Sequence, residues 1–257
     1  MRTRGRKPVR KEVCIPSSVS SFLLDHIGPK AFTILIMRSY TFVHYSLGSL
    51  ASIENLNDPQ NQQILRGHDM QVCAIAVSVS GKYIATGQIG TKNFKGNSAP
   101  VFLWQASNGR RLLVLRGLTV RVNIVAFSTD ERLLCGCGED SLLYIWDLTT
   151  GEVIYGQRLP TVVAVLQWVE HKLENRRIVY EMVLGVGSNL NKATLVYDPV
   201  RVQWSLKQQA FTVPPGGGIV RYFNCIDVSS DGVFVVRTSD FHMLFPCFKS
   251  FSSDLHM

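Results

Sequence analysis

A chain of 257 residues, 46% of them hydrophobic and 18% charged, can bury a sizeable core, which excludes global disorder. The cysteines Cys14, Cys73, Cys135, Cys137, Cys225 and Cys247 are irregularly spaced and no secretory signal opens the chain, so a reducing compartment is expected rather than a disulfide framework. The formal net charge of +8 is unevenly distributed, with eight basic residues and one acid between 66 and 121 but eleven basic against fourteen acidic from 122 to 257.

In chain order, residues 1–20 carry six basic side chains against Glu12 alone. Residues 1–30 therefore read as a disordered basic arm, or as a wrongly assigned start. The apolar run Ala31 to Met37 is too short to span a bilayer, so no membrane segment is expected. Gly67-His68 then precedes a segment, Ile75 to Gly87, that alternates as apolar strand, polar turn, apolar strand. After an insertion containing Lys92 and Lys95 comes a third strand, Val101-Phe102-Leu103-Trp104-Gln105. The turn Ser107-Asn108-Gly109 and a fourth strand, Arg111 to Leu115, follow.

The pattern then recurs. Val125 to Cys137 repeats the hairpin, with Ser128 fifty residues after Ser78, and Leu143-Tyr144-Ile145-Trp146-Asp147 repeats the third strand ahead of the turn Thr149-Thr150-Gly151. Ile226 to Thr238 is another copy, its Ser229 a further 101 residues on, so a degenerate copy is expected between them; its third strand is Leu195-Val196-Tyr197-Asp198. Each hairpin is expected to bury one set of alternating side chains.

Gly67-His68 before a hairpin and Trp146-Asp147 closing a third strand resemble the paired signatures of WD repeats. The resemblance implies an all-β fold: a WD-repeat β-propeller over residues 31–257, partial, with about four to five four-stranded blades. At roughly 40–45 residues per blade the chain is short of the family's seven, and a fragment or a truncated gene model is expected. The resemblance further assigns structural roles to His68, Thr86 and Trp104 in one unit, to Asp140, Trp146 and Asp147 in the next, and to Tyr197 and Asp198 in the third. His68 is implied to join a hydrogen-bond chain with Thr86 and Trp104, but the insertion between residues 88 and 100 supplies no Asp to complete it. From about Thr41 to Asp240 the chain resembles the first propeller of the cilia- and flagella-associated WD-repeat family of axonemal doublet microtubules. The residues that carry this are Ile84-Ala85-Thr86-Gly87-Gln88 with the insertion through Phe94-Lys95, and Gly216-Gly217-Gly218 through Arg221 and Cys225 to Ser229. The echinoderm microtubule-associated-like family shares a similar insertion.

Motifs for chemistry do not assemble. Cys135-Gly136-Cys137 has no second ligand pair, Gly185-Val186-Gly187 has Leu190 where a dinucleotide loop needs glycine, and no Gly-x-Ser-x-Gly elbow occurs. No enzyme activity, cofactor, metal or small-molecule substrate is expected, and no ordered aromatic platform supports nucleic-acid binding. The resemblance implies a non-enzymatic scaffold whose partners are tubulin and other axonemal proteins, located in the cytoskeleton of a cilium or flagellum. Lys92 and Lys95 are the first candidates for contact with an acidic partner, followed by Arg110, Arg111 and Arg116. The alternative is a generic WD-repeat adaptor in a soluble cytosolic complex.

Overall fold

The alternating segments become strands, and the strands form successive antiparallel sheets. The computed structural model describes residues 35–36, 42–55, 58–90, 98–175, 177–211, 223–228 and 234–238, and all of these fall within one unit, Phe32–Met257. The basic segment 1–30 and the insertion residues Lys92 and Lys95 lie outside the described residues.

The first sheet contains β1 (Leu35–Ile36), β2 (Phe42–Leu47), β3 (Leu50–Asn55) and β4 (Asp58–Leu65). The second contains β5 (Val72–Val77), β6 (Tyr83–Gln88), β7 (Val101–Gln105) and β8 (Arg111–Leu115). The third contains β9 (Val122–Phe127), β10 (Leu133–Gly138), β11 (Leu142–Asp147) and β12 (Val153–Arg158). The fourth, which holds the degenerate copy, contains β13 (Val163–Glu174), β14 (Arg177–Val186), β15 (Asn189–Asp198) and β16 (Gln203–Ala210). The hairpin β17 (Phe223–Val228) and β18 (Phe234–Thr238) belongs to a fifth. Strands follow one another in order within every sheet, and all neighbours are antiparallel. No helix occurs among the described residues. These sheets are the blades of an incomplete propeller, called blades one to five below. The innermost strands β5, β9, β13 and β17 are successive neighbours.

In the second and third blades the turn of the inner hairpin is built by a buried serine. Ser78 Oγ accepts a hydrogen bond from Tyr83 N–H at 3.2 Å, and Ser128 Oγ accepts one from Leu133 N–H at 2.9 Å. This short polar side chain satisfies the backbone donor at the point where the chain reverses, which is why serine recurs at this spacing.

The expectation that each hairpin buries one set of alternating side chains fails for the second strand of the hairpins, which is buried on both faces. All six residues of β10 are buried, as are the last eight of β14. The reason is that every inner blade lies between two others. Ile84, Phe102 and Trp104 face the first blade and join Ala51, Ile53 and Leu65, whereas Ala85, Leu103 and Leu115 face the third and join Val122, Leu134 and Trp146. Cys135 and Cys137 belong to the core between the third and fourth blades, with Leu166 and Met182. Burial in these apolar surroundings pushes the Cys135 thiol well up from its ordinary value.

Gly136 lies between those cysteines because a larger residue would not fit: a Cβ there would come within 2.7 Å of the Trp146 ring. Gly136→Ala is therefore expected to destabilise the chain by about 1–3 kcal/mol through overpacking. Gly136 does not hold a positive φ, so the urea unfolding midpoint reads the overpacking without a cost of left-handed backbone.

Candidate functional site

His68 lies in the connection from β4 to β5 and is buried, with 7% of its surface exposed. Its ring stacks on Phe102 at 4.1 Å between centroids, and the Arg111 guanidinium lies 4.7 Å from the centre of the same Phe102 ring. Thr86 Oγ1 is 2.6 Å from His68 Nε2 and accepts a 2.7 Å bond from Trp104 Nε1–H. On the other side of the imidazole, Nδ1 is 2.7 Å from Gln88 Oε1, and Gln88 Nε2–H donates to Asp69 Oδ1 at 2.6 Å.

These five side chains satisfy one another in a single direction. Trp104 donates to Thr86, Thr86 donates to Nε2 of a neutral imidazole, Nδ1–H donates to Gln88, and Gln88 donates to the Asp69 carboxylate. Burial holds the His68 pKa below its ordinary 6.5 against the opposing pull of the Gln88 bond and the Asp69 charge, while Arg111 adds to the depression. The network that the 88–100 insertion was expected to leave without an Asp is thus completed by Gln88 and Asp69. Asp69 was legible only as the neighbour of His68, and Gln88 only as the last residue of its strand.

The same positions fifty residues later are Leu118, Gly136, Gly138 and Thr119, so the whole polar chain is exchanged at once. Leu118 and Trp146 are buried in the core between the second and third blades, and Trp146 Nε1–H donates instead to the Arg116 carbonyl at 2.8 Å. Asp140 shapes the β10–β11 turn, accepting from Leu142 N–H at 3.2 Å. Asp147 caps the turn after β11 by accepting from Thr149 N–H at 2.7 Å, and Asp198 does the same for Val200 N–H at 3.0 Å.

Tyr197 occupies a different position from the tryptophans. Trp104 and Trp146 pair with Ile84 and Leu134, and, counted from the register shifts that open β5, β9 and β13, the matching pair in the fourth blade is Ala193 with Met182. Tyr197 lies four residues beyond on the same face, 5.2 Å from the Trp204 ring. Because the sheet period is two, lengthening β14 and β15 to ten residues from the six of β10 and β11 keeps each side chain on its own face.

The three candidate arginines are not brought together. Arg110 lies in the turn joining β7 to β8 and Arg116 just past the far end of β8, so roughly 20 Å of strand separates them. Arg111, between them, lies against Phe102. Arg121, near Arg116 in sequence, is 3.6 Å from Glu139. Among the described residues no group of three or more His, Cys, Asp or Glu side chains could hold a metal, and no helix is long and apolar enough to cross a membrane.

Repeated four-stranded blades, a tryptophan closing the third strand and a buried histidine–threonine–tryptophan network are similar to those of WD40 repeats, and two stretches of the chain match that repeat. Residues 59–95 and 109–147 match the WD domain, G-beta repeat model, the first match running from β4 past the end of β6 and the second from the turn before β8 through β11. The chain is similar to cilia- and flagella-associated protein 52 of Chlamydomonas reinhardtii, with 34% identity over 114 residues, and to that of Homo sapiens, with 32% over 114 residues. Each match covers 44% of this chain and 18% of the relative, so it spans under a fifth of those proteins' length. In fold, the chain is similar to the WD40 repeats of RRP9, with a TM-score of 0.54 and 15% identity over 81% of this chain and 60% of that one.

Two outcomes follow from the network. Thr86→Val removes the hydroxyl shared by His68 and Trp104 and strands both, which is expected to cost about 2–3 kcal/mol, read as a shift of the urea midpoint at unchanged slope. The depressed His68 pKa means that the unfolded chain takes up a proton before the folded one does. His68 therefore adds an acid-dependent loss of stability, absent above about pH 6.5 and growing as pH falls below that value. Unfolding midpoints measured from pH 8 to pH 5 are expected to fall more steeply for the wild type than for His68→Leu.

Proposed function

We propose that this chain is a non-enzymatic scaffold of the ciliary or flagellar axoneme that binds tubulin and neighbouring filament proteins. The observation that carries the reading is the 114-residue likeness to cilia- and flagella-associated protein 52, falling on a chain built of WD40 repeats. A rigid ring of blades suits this role, because its loops present side chains from fixed positions without requiring turnover. The basic loops at one end of the second blade supply the contact with tubulin's acidic surface. Exposed Arg66 and Arg116 lie at that end, and Lys92 and Lys95 belong by sequence to the β6–β7 connection that opens there. Arg110 lies at the opposite end, so it serves a different contact.

The test is the location of a tagged copy in a flagellated cell, beside tagged cilia- and flagella-associated protein 52 as a control, followed by salt extraction of the axonemes. Retention on doublets through high salt is expected, since a built-in scaffold is held by more than screened surface charge. Lys92→Glu with Lys95→Glu is expected to lower retention. Unchanged retention would remove those lysines from the interface, and diffuse signal for this chain beside an axonemal control would favour an adaptor in a soluble complex, which the same fold can serve.

A further inference from the structure

The outermost strand of the fourth blade differs from the other outer strands. β4, β8 and β12 each pair with their inner neighbour through a register shift, which bends an edge and spoils it as a template. β16 pairs with β15 without interruption from Asp198↔Gln203 to Asn191↔Ala210. Among the described residues its other edge has no strand partner.

The orientation of that edge follows from one bond. Phe211 N–H donates to Leu190 O at 2.8 Å, continuing the same register by one pair. By the alternation of an antiparallel ladder, the odd-numbered residues of β16 then exchange bonds with β15. Trp204, Leu206 and Gln208 therefore direct their N–H and C=O groups outward. The faces flanking this row differ in chemistry: Trp204 and Leu206 pack against the core shared by the third and fourth blades, whereas Gln203, Ser205, Lys207 and Gln209 are exposed. The turn that leads into β16 carries Val200 and Val202, which are 84% and 75% exposed. Val202 also holds a φ of 51°, an outlying conformation for a β-branched residue.

We propose that the β16 edge is a strand-addition site for an extended segment of another polypeptide, with alternating aliphatic and polar residues and a carboxylate opposite Lys207. The row of outward backbone groups selects a strand rather than a helix. The half-buried face beside Trp204 and Leu206 takes the aliphatic set, Lys207 takes the acid, and Val200 and Val202 cover the end of the added strand. This assignment stands whether or not the microtubule reading does, because it rests on the edge alone.

The test is residue-resolved amide exchange of the full chain with and without the peptide acetyl-Val-Thr-Val-Glu-Val-Thr-amide. In the free chain the amides of Leu206 and Gln208 are expected to exchange much faster than those of Ser205 and Lys207, and added peptide is expected to slow them. Gln208→Pro removes an outward donor while leaving the β15 ladder intact, so it is expected to weaken peptide binding about tenfold. Lys207→Glu is expected to shift preference to the peptide with lysine in place of glutamate. Outward amides already protected in the free chain would mean that the edge is covered by the chain itself and would overturn the proposal. So would peptide binding that leaves those amides unprotected, or that is the same for Gln208→Pro and the wild type; exchange on the wild type decides alone if that variant does not fold.

Discussion

Burial of the middle strands on both faces is the constraint on which the rest of this structure depends. A sheet such as β9–β12, whose β10 has no exposed residue, leaves apolar surface open to water unless a second sheet lies on each side. Consecutive residues must then serve different neighbours: Ile84 packs toward the first blade and Ala85 toward the third. Polar bridges reinforce the same succession at the hairpin turns. The Glu131 carboxylate accepts from Ser80 N–H and from Ser80 Oγ–H at 2.8 Å, Thr129 Oγ1 is 2.8 Å from His171 Nδ1, and Tyr180 donates to Asp130 at 2.9 Å. Burial acts to raise the Asp130 pKa, but the bonds from Ser128, Tyr180 and Arg132 N–H outweigh it and hold the carboxyl below its ordinary range.

Two neighbouring blades satisfy the same tryptophan in different ways. In the second blade, five polar side chains form a closed sequence of donors and acceptors ending at an exposed carboxylate. In the third, all four partners are replaced together and the indole N–H turns to a backbone oxygen. A buried polar group costs most when its partner alone is removed, whereas exchanging a complete set for apolar residues costs little. That asymmetry explains why no half-converted version of the network is present in either blade.

The fourth blade departs from its neighbours in length, and the added sheet has its own support. Lys172 lies 3.1 Å from Glu181 and 2.8 Å from Glu174, and Lys192 lies 2.7 Å from Glu181. Burial opposes ionisation of Glu181, yet its two lysine partners outweigh that effect and keep its pKa below the ordinary carboxylate range. Tyr197 and Tyr180 close on Trp204 nearby. The outcome is a long strand edge on a firmly held sheet, a surface different in kind from charged loops.

The hairpins, their serine turns and the tryptophan-bearing third strands were legible in the sequence, because strand alternation and turn chemistry act between residues close along the chain. A repeat of fifty residues also pointed to stacked blades before any contact was known. Only the tertiary structure decided that β10 is buried on both faces, that Gln88 and Asp69 complete the His68 network, and that Ala193 rather than Tyr197 matches the tryptophans. It likewise separated Arg110 from Arg116 and laid Arg111 over Phe102. Each of these depends on which blade lies alongside and at what register, and such pairings join residues far apart in the chain, where local pattern carries no information.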